Sequence, residues 1–316
     1  MRKPAPLPPS LAHRSFTIQE ARAAGLSRSR TRARDLLTVS RGLRVPWGVP
    51  QELAESLRPL LAVSPGAVIC GVTAARLWGL ALPARLLDDP RLHLATVGTN
   101  NPVRRFGVCG HRLKLTPEEV RWRDGLPVTA PERTWLDLAP KLTEDELIAL
   151  GDELVCEHRR SFGPVRQALA SADRLKAVVG AHPGNRGVLR ARAALELIRV
   201  GADSPPETHL RLALIRAGLP EPELNAVIRD ARGAECAWPD LAYSRYRISV
   251  QYDGAHHRTA AQQASDAERD YATARAGWES ILVTKHLLGD YFPGSEGFAP
   301  AVARIREALI RRGWHR

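Results

Sequence analysis

A chain of 316 residues with 44% apolar content is long enough to bury two or three hydrophobic cores, which excludes a disordered polymer. Its formal net charge of +12 is high for a metabolic enzyme and points to a polyanionic partner, nucleic acid or an anionic membrane surface, because clustered cations attract phosphate over a Debye length. The charge is concentrated at one end: residues 1–50 carry ten basic side chains against Glu20 and Asp35, a local balance of +8.

Cys70, Cys109, Cys156 and Cys236 are widely spaced, without a Cys-x-x-Cys pair, a leading apolar signal segment or a long apolar run, so reduced thiols in a cytoplasm and no membrane span are expected. Cys109-x-His111 has the spacing of half a zinc site. No second pair follows at ligand spacing, so the sequence alone argues against a metal there.

The first segment, about Ser15 to Trp47, is densely punctuated. Thr17 and Glu20 form a T-x-x-E capping box, Ile18, Ala21 and Ala24 follow, and Gly25 is placed to end a short helix. Ser27 is placed to cap a second helix running through Arg28, Arg30, Arg32 and Arg34 to Leu36 and Leu37, with an exit into the basic segment Arg41 to Pro46. Helix, tight turn, Arg-rich helix and basic strand is the order of a winged helix-turn-helix. Arg28, Arg30, Arg32, Arg34, Arg41 and Arg44 are therefore candidate DNA contacts, although Arg on a helix also serves as a solvated face and reads phosphate as readily as bases.

The second segment, about 50–195, carries weaker signals: a short buried stretch Ala67–Cys70, a helix at Thr73–Gly79, strands at Leu92–Val97 and Gly107–Leu115, and mostly helical stretches at 128–138, 144–154 and 187–200. Its motifs Gly71-Val-Thr-Ala-Ala-Arg-Leu-Trp-Gly79 and Pro127-Val-Thr-Ala-Pro-Glu-Arg-Thr-Trp-Leu-Asp137, taken with the first segment, resemble the AbiEi-type antitoxin regulators over about residues 15–155. That resemblance implies a DNA-binding transcriptional regulator; beyond DNA, the partner is left open between a cognate toxin and a repair protein. A structural spacer is the competing reading of the middle segment.

The third segment reads as a helix over 205–217 stopped by Gly218, strands near 224–230, 236–243 and 247–252, a helix over 262–276, a strand at 279–284 and a terminal helix over 299–312, an order that suits a small α/β sandwich. Hydrolysing a phosphodiester at neutral pH requires a hard divalent cation held by oxygen ligands and a base for the attacking water. Trp238-Pro-Asp240 and Gln251-Tyr252-Asp253-Gly254, followed by His256 and His257, offer such groups within a short span. Along 248–252 alternation places Ile248, Val250 and Tyr252 on one face and Ser249, Gln251 and Asp253 on the other.

Ser204-Pro-Pro-Glu207, Pro239-Asp240-Leu-Ala242, Val250-Gln-Tyr-Asp-Gly254, His257-Arg258, Asp266, Arg269 and Gly277-Trp278 together resemble the Vsr-like branch of the PD-(D/E)XK endonuclease fold over about residues 203–290. The resemblance implies a Mg²⁺- or Mn²⁺-dependent DNA endonuclease acting in repair or defence. Asp240 would be the central metal ligand, with Asp253, Gln251 and the Tyr252 carbonyl beside it, Glu207 reaching the ion from the preceding helix, His257 as general base, and Arg258, Arg269 and Lys285 on phosphate. Simpler readings stand beside these roles: Ser204-x-x-Glu207 is also a capping box, and Asp253-Gly254 is a common turn dipeptide. The sequence departs from the family where Gln251 stands in place of a Glu, and the Lys of the wider signature is absent. An amide oxygen ligates a cation without supplying charge, so the alternative is a non-enzymatic AbiEi-like regulator with a degenerate nuclease fold.

The chain is thus expected to be a multidomain α/β protein: a winged helix-turn-helix over 1–49, a mixed α/β AbiEi-like middle domain over 50–200, and a restriction-endonuclease-like α/β sandwich over 201–316.

Overall fold

The computed structural model describes residues 4–98, 101–158, 165–253, 268, 270–284 and 298–315. The chain is a mixed α/β protein that divides into two compact units, residues 1–138 and 139–316, a division that falls inside the span read above as a middle domain.

In the first unit α1 (Pro9–Ala12) and β1 (Phe16–Thr17) lead into α2 (Ile18–Ala23). The capping signal is realised in full. The Glu20 N–H donates to the Thr17 hydroxyl at 3.0 Å, and the Thr17 N–H donates to the Glu20 carboxylate at 2.7 Å. The expected Arg-rich second helix does not form: Arg30–Arg32 make a single 3₁₀ turn, and Leu36 and Leu37 belong to β2 (Leu36–Ser40), which pairs antiparallel with β3 (Leu43–Pro46). As a strand residue Leu36 enters a small core with Leu11, Phe16 and Ala21. The β-branched Thr38 and Val39 that follow it favour extended backbone, and tertiary burial overrides the helical pattern. The resulting sheet has the order β1-β3-β2.

Beyond it, α3 (Leu53–Ala62), β4 (Ala67–Ile69), α4 (Gly71–Trp78), α5 (Ala84–Leu87), β5 (Leu92–Val97), β6 (Val108–Leu113), β7 (Val120–Arg123), β8 (Leu126–Thr129) and α6 (Pro131–Leu138) follow in chain order. The strands form one sheet in the order β6-β5-β4-β8-β7, and a core of Leu57, Leu60, Ile69, Leu77, Leu94 and Val128 packs on it. The two motifs noted above meet here: the Trp78 indole N–H donates to the Thr129 carbonyl at 2.9 Å, and the Thr129 and Thr134 hydroxyls lie 2.7 Å apart. Buried Arg133 is held by Glu119 and Asp137 at 3.0 and 2.9 Å and donates to the Lys114 carbonyl. Their residue types are thus explained by packing and by satisfying buried polar groups.

In the second unit α7 (Glu144–Val155), α8 (Ala172–Ala181), α9 (Val188–Leu197) and α10 (Pro205–Arg216) precede β9 (Glu223–Leu224), β10 (Ile228–Arg229), β11 (Glu235–Ala237), β12 (Leu241–Tyr243), β13 (Ile248–Asp253), β14 (Glu279–Thr284) and α11 (Ala299–Arg311). The strand expected over 236–243 is interrupted at Trp238 to Asp240, where Pro239 has no N–H for a ladder. β10 and β11 make a separate hairpin, and the main sheet runs β14-β13-β12-β9, with β13 parallel to β14 and antiparallel to β12. The alternation along β13 is as read: Ile248 and Val250 are fully buried in a core with Leu210, Leu214, Leu241, Ile281 and Ile305, against which Tyr252 packs, while Gln251 is exposed.

Candidate nucleic-acid interface and carboxylate pair

The six arginines expected to contact DNA separate into two groups. Arg28, Arg32, Arg34 and Arg41 are exposed around the 3₁₀ turn and the β2–β3 turn. Arg30 is only 8% exposed: its guanidinium grips the Asp35 carboxylate with two hydrogen bonds of 2.9 and 2.7 Å, and its Nε donates to the Ala5 carbonyl. Arg44 is half-buried and donates to the Thr31 and Leu43 carbonyls at 2.6 and 2.8 Å. Burial holds its pKa below the ordinary value, with the Arg32 charge adding to the effect. Two of the expected contacts are thus turned inward to fasten the turn to the hairpin. The aromatic rings of Trp47 and Phe106, 69% and 81% exposed, went unnoticed in the sequence because neither sits in a periodic pattern.

In the second unit the expected metal-binding residues come together in part. Ser204 precedes α10, and Glu207, 6% exposed in its first turn, accepts from the Asp203 N–H at 2.8 Å and the Ser204 hydroxyl at 2.7 Å. Asp240 stands at the entry to β12 and accepts from the Tyr252 N–H at 2.7 Å, a bond that ties β12 to β13. The Glu207 carboxyl is pushed up to about 7, first by burial and then by the nearby Asp240 charge, since two carboxylates in one low-dielectric site resist ionising together.

Gln251 lines a cavity of about 130 Å³ with Trp238, Ser249, Asp270, Thr273 and Ser280 that neither Glu207 nor Asp240 borders, although the pairing of Leu241 with Val250 leaves the backbone of Asp240 beside that of Gln251. The backbone of Asp253 pairs with Thr284, and its side chain lies outside the described residues, as do His256, His257, Arg258, Asp266, Arg269, Lys285 and the start of the helix expected over 262–276.

Sequence reasoning passed over Asp203, which gathers its neighbours: the His158 ring lies 2.9 Å from its carboxylate, Arg166 donates to it at 3.0 Å and the Cys156 thiol at 3.4 Å. Burial and the Asp203 charge push that thiol up to about 12, so it stays protonated. Nothing in the spacing of residues 156, 158, 166 and 203 announces the cluster.

Residues 67–197 match the AbiEi antitoxin C-terminal domain family. The chain is also 27% identical over 226 residues to two proteins of Mycobacterium tuberculosis, "Uncharacterized protein Rv2248" and "Uncharacterized protein MT2308", an alignment covering 69% of this chain and 74% of each relative. No solved structure matches the chain. The family match stops short of the Vsr-like motifs, and among the described residues no helix is long and apolar enough to cross a membrane.

Proposed function

We propose that this chain is a cytoplasmic, DNA-binding regulator of the AbiEi antitoxin kind, acting through its basic N-terminal segment and pairing with a cognate toxin. The match of residues 67–197 to the antitoxin domain carries this reading. It is supported by the local charge of +8 in residues 1–50 and by four arginines that face solvent around a turn and a two-stranded hairpin, in the places of a shortened recognition helix and a wing. Each neutralised phosphate contributes roughly −0.9 to the slope of log K against log salt. Replacing Arg28, Arg32, Arg34 and Arg41 together with Ala is expected to flatten that slope by about two to four units in a fluorescence-anisotropy titration on duplex DNA. An unchanged slope would move the interface elsewhere.

A second reading, a Mg²⁺- or Mn²⁺-dependent endonuclease with a restriction-endonuclease-like α/β sandwich, is favoured by the strand order of the second unit and by the juxtaposition of Glu207 and Asp240. The donor set fits a hard cation only in part. Both carboxylates already accept protein N–H or O–H groups, and Gln251 supplies no charge. The regulator reading expects purified protein to leave supercoiled plasmid intact in Mg²⁺ or Mn²⁺; nicking that disappears in Asp240→Ala would reverse the preference.

A further inference from the structure

We propose that His93, Cys109 and His111 form a binding site for a zinc-class transition-metal ion at the edge of the first unit's sheet. β5 and β6 run parallel with His93 in register with Cys109, and β6 is the outermost strand. Successive side chains on a strand alternate faces, so Cys109 and His111 share one face of β6, the face on which His93 stands in β5. Gly110 between them points the other way. A Cβ there would lie 2.2 Å from the Val103 carbonyl oxygen, so the close passage of residue 103 admits only glycine and holds β6 in the rotation that presents both flanking ligands together.

The convergence is tight. His111 Nε2 lies 3.0 Å from His93 Nδ1, the rings stack at 5.0 Å, and one ligand atom from each of the three residues lies within 4.8 Å of the other two. Bonds of about 2.0–2.3 Å in a tetrahedral zinc site set its nitrogen and sulfur ligands roughly 3.3–3.6 Å apart, so admitting the ion takes a small spreading of the two rings and the closing of any longer separation to the thiol, shifts that side-chain rotation supplies. His93 is fixed from both sides of its backbone: its N–H donates to the Thr73 hydroxyl at 2.8 Å, and its carbonyl accepts from the Cys70 N–H at 3.1 Å. Gly71 approaches the same ring at φ +53°, where a Cβ would come within 3.3 Å of His93 Nδ1, so a larger residue there would crowd the ring. Paired strands and a backbone fixed by hydrogen bonds are features that preorganise a metal site.

Two imidazoles and a thiolate are borderline-to-soft donors that select zinc-class ions over Mg²⁺, and three protein ligands leave a fourth position for water or a small ligand. Among the described residues a second His and Cys cluster, at Cys156, His158 and Asp203, lacks this character, because Arg166 already supplies a cation to Asp203. The ion would clip the edge strand to its neighbour, a role that does not depend on the regulator reading.

Titrating the full-length, reduced protein with Co²⁺ tests the proposal. Wild type is expected to develop a thiolate-to-cobalt charge-transfer absorption that Zn²⁺ displaces, and Cys109→Ser is expected to lose it. His111→Gln, at a half-buried position on an edge strand and so least disturbing to the fold, is expected to weaken Co²⁺ affinity by about 100-fold or more, at or above the loss that removal of a supporting partner causes. Cys156→Ser should behave as wild type, and circular dichroism should confirm that each variant is folded. A wild type without the absorption, a folded Cys109→Ser or His111→Gln that binds as tightly as wild type, or loss of the absorption in Cys156→Ser would each overturn the assignment.

Discussion

Glu207 is held in a state its type does not favour. With a pKa raised to about 7 from the ordinary 4.5, the folded chain keeps a proton that the unfolded chain releases. The stability linked to that proton is fully present below about 4.5 and is lost as pH rises through about 7. Glu207→Gln stays neutral throughout, so its melting temperature relative to wild type should climb between about pH 5 and about pH 8. A constant difference would mean that the carboxyl ionises normally. Arg30 makes the complementary case among the cations. Its buried guanidinium makes a bidentate pair with the half-exposed Asp35 carboxylate, and charge-assisted hydrogen bonds of this kind are worth about 1.5–3 kcal/mol. Urea unfolding of Arg30→Ala should therefore show a loss of about 2–3 kcal/mol, whereas exposed Arg32→Ala should stay within about 0.5 kcal/mol of wild type.

At the scale of elements, the helices are set by their ends and the strands by their partners. Thr143 caps α7 as Thr17 caps α2, each with the Glu three residues on returning the bond. Two glycines in neighbouring helices show how context sets the sign of a substitution. Gly187 caps α9 at φ +83°, and a Cβ would lie 2.8 Å from the Pro140 nitrogen and 2.9 Å from the Ala139 carbonyl carbon. Gly187→Ala combines left-handed strain with overpacking against backbone and should cost about 2–4 kcal/mol. Gly180, exposed inside α8 with open space around it, should gain about 0.5–1 kcal/mol as Ala. Denaturation midpoints moving in opposite directions would verify the pair; shifts of one sign would refute it.

On the scale of the whole molecule, each unit carries its own core, and the second is threaded by a buried ion pair. Asp152 and Arg211 are both fully buried at 2.9 Å, with the Thr208 hydroxyl and the Arg199 N–H completing the carboxylate and Glu221 and the Leu197 carbonyl engaging the guanidinium. Burial pushes the Asp152 carboxyl upward against the pull of Arg211. Removing one member strands the other, so Asp152→Asn should cost about 3–5 kcal/mol, and Asp152→Leu with Arg211→Met should recover much of that loss. Hydrogen exchange is expected to localise the loss of protection to α7, α9 and α10; a double variant as unstable as the single would count against the stranded-charge account.

What the sequence by itself determined is local. The capping box of α2, the helix ending at Gly79 and the alternation along β13 were legible because each rests on groups within a few residues of one another, whose geometry neighbouring dihedral angles dictate. Tertiary structure decided the rest. It withdrew Leu36 and Leu37 from an expected helix, committed Arg30 and Arg44 to hydrogen bonds within the fold, and set Gln251 in the lining of a cavity that neither Glu207 nor Asp240 borders. It also brought His93, 18 residues from His111, to the half-site that Cys109 and His111 had seemed to leave incomplete. Strand pairing joins residues far apart in the chain through burial summed over a whole core, and no window of neighbouring residues contains that sum.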